Sequence, residues 1–329
     1  MRSLKSEVGA ADPAIIRNNA RLVNRPGRIR FVLPALAAVA LLAPASAGAA
    51  KKSAPQPPIT VAVKGHKPAH VLQKMLVQGK LADPGPNKTV TIRVRTDGHP
   101  LFTKKVDPND TTGNFRMPLY IRACCHYVIV AQQGDFGSRP ADFHTVVPNG
   151  VGRGAQAKLF NKLLKREGFH VAGTPKRKNW ATNLAILAFR KTNGMSRNTK
   201  FSKKIFRLLL QGKGAFKPRH TEGRHVEVDI SRQVMALIEG DRAVHTFHVS
   251  TGASSTPTIR GKFHFYSRQP GYNSHAMYYS VYFQGGYATH GYNPVPTYPA
   301  SHGCVRNPIP FSVFIYRWIQ LGMPIYVYG

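Results

Sequence analysis

The apolar residues of this chain change period twice, and that limits the folds open to it more than any other feature. Residues 59–63, 90–95, 101–106 and 127–131 are short runs that alternate apolar and polar side chains. Pro84-Gly85-Pro86-Asn87, Thr96-Asp97-Gly98 and the segment 107–113 punctuate them. A period of two puts alternate side chains on one face of a strand, so 59–148 is predicted to be a small β-sandwich. Between 151 and 215 the period becomes helical. Ala157, Phe160, Leu163 and Leu164 form one stripe, Leu184, Leu187, Ala188 and Phe189 a second, and Ile205, Leu208 and Leu209 a third. Gly168, Asn193-Gly194 and Gly212 end them, which gives a small three-helix module. From 220 to 329 the strand period returns at 226–230, 233–238, 244–249, 262–266, 279–283 and 325–328. One covering helix over 310–321 carries Phe311, Phe314, Ile315, Trp318 and Ile319, with Gly322 as its stop. The predicted architecture is multidomain and mainly β.

Charge is laid unevenly over this frame. The formal net charge is +33, yet from residue 220 onward eight Lys and Arg meet five Asp and Glu. Residues 151–219 carry eighteen cations against Glu167 alone. Such a balance would suit nucleic acid, but the N-terminus reads differently. Arg25, Arg28 and Arg30 precede an apolar run over 31–43, followed by Ala45-Ser46-Ala47 and Ala47-Gly48-Ala49, two Ala-x-Ala cleavage sites. The run contains Pro34 and falls short of the roughly 20 residues that span a bilayer. Residues 1–50 are therefore expected to be a signal peptide, or an N-terminal anchor if it is not cleaved; a start nearer Leu22 or Val23 would give a more ordinary signal. A proline-rich linker follows over 51–58. An exported chain meets cell walls, so no nucleic acid is expected. The basic region 151–219 is read as a grip on an anionic wall polymer, its alternative being a merely solvated surface.

Three cysteines are present. Cys124 and Cys125 lie in an apparent strand, Ala-Cys-Cys-His-Tyr-Val-Ile-Val, where neighbours point to opposite faces, so they are expected to be ordinary strand residues, a bridge or redox site being the alternative. Cys304 is left without a local partner. It stands in Ser301-His302-Gly303-Cys304-Val305-Arg306, and His290-Gly291 lies upstream where a strand is expected to end. No Cys-x-x-Cys pair exists, and His302 with Cys304 is too small a ligand set, so neither metal nor cofactor is expected. A thiol attacks as thiolate and needs a base. Cys304 is accordingly the expected nucleophile and His290 the general base and acid. Gly291 is expected to relieve a turn after His290. The N–H groups of Gly303 and Cys304, with His302, are the expected oxyanion donors. Arg306 would hold a substrate carboxylate or brace the loop. The loop 292–300, with Pro294, Pro296 and Pro299, forms a stiff arc back to the cysteine. No Asp or Glu follows Asp241; a third member is upstream or absent, and a backbone carbonyl such as that of Gly291 could orient the ring instead.

The stretch 290–306 resembles the signature of the L,D-transpeptidase catalytic domain: a His, a spacer, then Ser/Thr-His-Gly-Cys-x-Arg/Asn. Thr256-Pro257-Thr258, Gly261-Lys262-Phe263, Gln269-Pro270-Gly271-Tyr272 and Met277-Tyr278-Tyr279 extend the likeness, and the spacer here is short. The resemblance implies attack by Cys304 on the bond between an L-centre and D-Ala in a peptidoglycan tetrapeptide stem. D-Ala leaves, a thioester forms, and the amine of a neighbouring stem resolves it as a 3→3 cross-link. It also implies that Ser301, His302, Gly303 and Arg306 shape the site, and that Tyr272, Tyr278 and Tyr279 line the stem pocket. Residues 182–191 (Thr-Asn-Leu-Ala-Ile-Leu-Ala-Phe-Arg-Lys) resemble a three-helix peptidoglycan-binding repeat with Arg190 in place of the usual Gln; a basic linker without ligand is the alternative. The strands over 59–148 resemble an immunoglobulin-like spacer. Alternatives to cross-linking are L,D-carboxypeptidase action, in which water resolves the thioester, and attachment of a protein amine to the wall. Of another class are a non-catalytic wall-binding protein and a cysteine protease.

Overall fold

The computed structural model describes residues 58–65, 68–173 and 176–329. The signal and most of the linker read from residues 1–57 lie outside them. Strands β1 (Ile59–Lys64), β2 (Ala69–His70), β3 (Lys74–Leu81), β4 (Val90–Thr96), β5 (His99–Val106), β6 (Asn114–Tyr120), β7 (His126–Gln133), β8 (Phe136–Gly137) and β9 (Ala141–Val146) come first. They form two sheets, β1-β3-β6 and β2-β9-β7-β4-β5, with β8 on β7. Alternation decides what each buries: Phe115, Met117 and Leu119 of β6 are inside while their neighbours are exposed. Those side chains, with Ile59 and Val77, meet Ile92, Tyr127, Ile129 and Phe143 of the other sheet in one core. The buried Tyr127 hydroxyl accepts the N–H groups of Ala123 at 2.9 Å and Arg122 at 3.2 Å. Cys124 and Cys125 precede β7 instead of lying in it, and they are joined as a vicinal disulfide, unlike the unbridged strand pair expected. The acceptor geometry explains their placement: Asp97 takes the N–H groups of Cys125 and His126 at 3.0 and 3.1 Å, which turns the chain before the ladder begins.

The helical stripes form α1 (Gly154–Arg166), α2 (Trp180–Thr192) and α3 (Lys203–Leu210). Asn179 caps α2 by accepting Thr182 N–H at 3.0 Å, and Ser202 caps α3 by accepting Ile205 N–H at 3.2 Å. Such caps each contribute about 1 kcal/mol. Phe160 of α1 packs edge-on against Phe201 and Phe206, at centroid distances of 5.5 and 5.3 Å. The single acid of residues 151–219, Glu167, caps the C-terminal end of α1, is buried and is held by Arg166 at 2.7 Å.

Strands β10 (Arg224–Asp229), β11 (Val234–Glu239), β12 (Arg242–His248), β13 (Gly261–His264), β14 (Ser267–Tyr272), β15 (Tyr278–Gln284), β16 (Tyr287–Tyr292) and β17 (Val305–Pro308) follow, then α4 (Ile309–Trp318) and β18 (Pro324–Tyr328). They make two sheets, β12-β11-β10-β18-β13 and β14-β15-β16-β17. Only β10–β18 and β16–β17 are parallel in them. The sheets face each other: Thr289 of β16 reaches Met235 of β11, Oγ1 to Sδ 3.6 Å. α4 stops at Trp318, four residues before Gly322, because Ile319 is already extended and buried. The three helices share the core of this region, Phe160, Phe189 and Phe206 lying in one apolar cluster with Val226, Phe247 and Phe311. The result is a mainly β protein with four helices among the described residues.

Candidate active site

Strands β16 and β17 run side by side in parallel, with Thr289 opposite Val305 and His290 opposite Arg306. Side chains alternate across a strand, and laterally paired residues share a face. Thr289 and Gly291, with Val305 and Asn307, therefore belong to the face under α4. There Asn307 donates to Thr289 Oγ1 at 3.2 Å and Ser312 of α4 donates to Asn307 Oδ1 at 2.8 Å. Ala288, His290 and Tyr292, with Cys304 and Arg306, belong to the other. Cys304 sits just before β17, two residues ahead of Arg306, the registered partner of His290. His290, Cys304, Arg306, Tyr292, Ser301 and His302 line one cleft of about 510 Å³.

The turn that presents the thiol is built by hydrogen bonds. Ser301 Oγ donates to Cys304 O at 2.6 Å and accepts Gly303 N–H at 3.1 Å. Thr258 Oγ1 donates to Gly303 O at 2.7 Å, and Thr256 Oγ1 to Ser301 O at 2.9 Å. Gly303 has φ +114°, and a Cβ there would stand 2.6 Å from the Tyr287 ring, so only glycine fits. Behind the turn, Ser250 and Arg306 exchange N–H···O bonds of 3.0 and 2.9 Å, and Thr251 O accepts the N–H groups of Ala300 and Ser301. The helical segment reaches this brace: Lys191 Nζ, buried, donates to Val249 O at 2.8 Å and Gln233 O at 3.1 Å. Arg197 donates to Thr297 O of the spacer loop at 3.1 Å.

Burial sets the charge state of the pair. His290 is 3% exposed, and burial pushes its pKa down to about 4, with Arg306 adding to the fall against the hydrogen bond to Gly291. Burial likewise raises the Cys304 thiol, opposed by the Ala288 backbone and by Arg306. Burial thus favours a neutral imidazole and a neutral thiol in the same cleft. His290 Nδ1 lies 2.9 Å from Gly291 O. A carbonyl only accepts, so Nδ1 carries the proton and Nε2 keeps the lone pair. Cys304 Sγ is directed at Gly286 O, 3.5 Å away, and lies 4.0 Å from Met277 Sδ. Arg306 donates to Ala300 O at 3.0 Å and covers the Tyr292 ring at 4.0 Å, while its buried Nε has no partner among the described residues.

Residues 223–327 match the family model of the L,D-transpeptidase catalytic domain, YkuD. This region is an L,D-transpeptidase catalytic domain. The L,D-transpeptidase of Xylanimonas cellulosilytica is a similar solved structure, 29% identical, covering 55% of this chain and 97% of its own, at a TM-score of 0.51. That share is wider than the family segment. An L,D-transpeptidase of Stackebrandtia nassauensis is 20% identical over 55% of this chain and 94% of its own, at a TM-score of 0.35. No curated protein sequence matches the chain.

Within this L,D-transpeptidase domain, three expectations need correction. Gly291 relieves no turn: it lies inside β16, outside the positive-φ region, and a Cβ there would stand 2.2 Å from Ser312 Oγ. Its need for glycine is the close approach of α4. The N–H of Gly303 is already donated to Ser301 Oγ, which removes it from the expected oxyanion donors. Tyr272, Tyr278 and Tyr279 do not line the cleft. Tyr272 is 63% exposed and leans on Tyr278 at 4.6 Å, and Tyr279 packs edge-on against Tyr316 at 5.0 Å. The reasons are parity for Tyr278 and a bulge for Tyr279, whose φ of +50° and shifted register take it out of the alternation. Tyr278 is registered with Gly291, on the α4 face, whereas Tyr282 is registered with Ala288, on the face of His290. Tyr282 and Tyr292 are the cleft tyrosines, with Met277 and His275, all missed from sequence. The His-x-Tyr spacing of His290 and Tyr292 held the signal, since residues two apart in a strand share a face.

Proposed function

We propose that the protein is an exported L,D-transpeptidase that joins peptidoglycan stems by 3→3 cross-links through a thioester on Cys304. The observation that carries this reading is the shared face of β16 and β17, which opens His290, Arg306 and Cys304 into one cleft. Nε2 of His290 takes the thiol proton as sulfur adds to the carbonyl of the L-centre to D-Ala bond. Both partners are neutral at rest, so charge appears only as the carbonyl is attacked. The N–H groups of Cys304 and His302 remain as oxyanion donors. The imidazolium returns its proton to the departing D-Ala amine, leaving the thioester. The amine of a second stem then attacks and gives up a proton to Nε2, and the cross-link forms as the sulfur leaves and takes that proton back from the imidazolium. Gly291 O holds the ring in place of a carboxylate, and Arg306 Nε is a buried donor suited to a stem carboxylate.

In the same reading the strands β1–β9 are an immunoglobulin-like spacer, and α1–α3 with their basic surface face the wall. The test is incubation with a disaccharide-tetrapeptide, with products read by mass spectrometry alongside Cys304→Ala. A dimer lacking one D-Ala, absent from the variant, is the expected product. Tripeptide alone would assign the carboxypeptidase reaction instead. If neither forms and a carbapenem leaves Cys304 unacylated, the enzymatic reading fails.

A further inference from the structure

A second cavity, of about 880 Å³, lies where α2 and the segment after α3 meet β18 and the turn from β10 to β11. It shares no lining residue with the Cys304 cleft. Lys213, Lys217, Arg219 and Arg232 line it, with Asp229 the one acid in its lining among the described residues. Asp229 is already engaged by Ser231 Oγ at 2.5 Å, Arg232 N–H at 3.0 Å and Arg232 Nε at 3.5 Å. Among the described residues the side chains of Lys213, Lys217 and Arg219 form no ion pair, and the buried Glu227 carboxylate behind them is taken up by the backbone N–H of Arg219 at 2.9 and 3.1 Å and by the Tyr328 hydroxyl. The Arg219 guanidinium rests on the Tyr328 ring at 3.8 Å, an arrangement that fixes it and leaves its N–H donors open.

Two further features mark the cavity as built. Thr192, 4% exposed, lines it and has an Oγ1 with no partner among the described residues. An unpaired buried hydroxyl costs about 1–3 kcal/mol unless something supplies its hydrogen bond. The backbone from Gly214 to Lys217 also lines it, and none of its N–H groups meets a protein acceptor among the described residues. This segment is held in place: Asn193 Nδ2 donates to Gly214 O at 2.9 Å, and a Cβ at Gly214 would stand 2.5 Å from the Phe189 ring.

We infer that this cavity is an oxyanion site, taking one phosphate or carboxylate group of an anionic polymer by ammonium, guanidinium and hydroxyl donors together. The inference rests on the reading that the basic region faces such a polymer, and gives that contact an address shared by α2, the 213–219 segment and the catalytic sheet. The group is bound away from Cys304, so polymer and stem can be held at once.

The test titrates the full-length protein with poly(glycerol phosphate) and, separately, with polyglutamate, following heat release at two salt concentrations. Lys213→Gln with Lys217→Gln is expected to weaken binding tenfold or more, and Thr192→Val about threefold or more. Lys158→Gln with Lys162→Gln removes equal charge from the exposed face of α1 and should change binding less than twofold. The tighter of the two polymers names the source of the oxyanion. Equal losses in both lysine pairs, or binding to neither polymer, would overturn the site. The catalytic reading is followed on the soluble tetrapeptide, whose conversion should be unchanged in all of these variants. Polymer binding without conversion by the wild type would sink the catalytic reading and leave the oxyanion site standing.

Discussion

His290 and Gly291 are neighbours in one strand and serve opposite faces. His290 looks into the cleft beside Cys304, is neutral, and is held through Nδ1. Gly291 looks at α4, where its lack of a side chain admits Ser312. Chemistry on one face and close packing on the other are separated by a single peptide unit. What the pair teaches is that adjacent residues of a motif can be required for unrelated reasons. Substitution separates the reasons. His290→Gln keeps the shape and an acceptor but removes the base, so turnover should fall roughly 10²–10⁴-fold. Its midpoint of chemical denaturation at pH 7 should move little. Retained turnover would show that the base is elsewhere.

Gly291→Ala should do the reverse. The added methyl meets Ser312 Oγ and lies 3.2 Å from Tyr278 Cβ, so the fold should lose about 1–3 kcal/mol, read by denaturant unfolding. Ser312→Gly in the same chain should recover part of the loss. Unchanged stability in Gly291→Ala would mean that α4 does not press on β16 as tightly as described.

The same contrast explains what could be read from the sequence. The period changes were legible because burial follows them: the three helical stripes and the covering helix lie on one apolar cluster. His290 and Cys304 were legible as chemistry because a thiol needs a base. The role of Gly291 was not, since the atom that demands glycine lies 21 residues on, in Ser312. The pocket tyrosines were misread for a related reason. Register pairs Tyr278 with Gly291 and so sets its face, whereas Tyr279 stands at a bulge with φ +50° that sequence spacing does not reveal. Lys191 was read as part of a basic surface. Its Nζ is in fact buried on Val249 O and Gln233 O, and burial pushes its pKa down to about 7.

Titration offers a sharper measure of how deeply His290 is buried. In the unfolded chain a histidine takes a proton near pH 6.5. In the fold, burial holds His290 at about 4, and His170 and His248 at about 3. Between those values the unfolded state binds more protons, so stability is complete above pH 6.5 and is lost as pH falls toward 4. Each such group contributes a slope of up to about 1.4 kcal/mol per pH unit in its window. His290→Gln should therefore reduce the slope of unfolding free energy between pH 6 and pH 4.5 by about that amount. An unchanged slope would place the imidazole in contact with solvent.

The smallest expected effect separates the two sets of tyrosines. Tyr292 stands under the Arg306 guanidinium, and that stacking holds Arg306 alongside His290. A stacked cation of this kind is worth about 0.5–1 kcal/mol at a partly open site. Tyr292→Leu removes the ring, frees the guanidinium to swing, and should raise KM for the tetrapeptide about two- to fivefold with a smaller fall in kcat. Tyr272→Leu should leave both constants within a factor of two, because its ring leans on Tyr278 outside the cleft. Steady-state kinetics on the same substrate compares them directly. If Tyr272→Leu proves the more damaging, the stem crosses the α4-side aromatic cluster before it reaches Cys304, and the tyrosines read from the family resemblance regain their role.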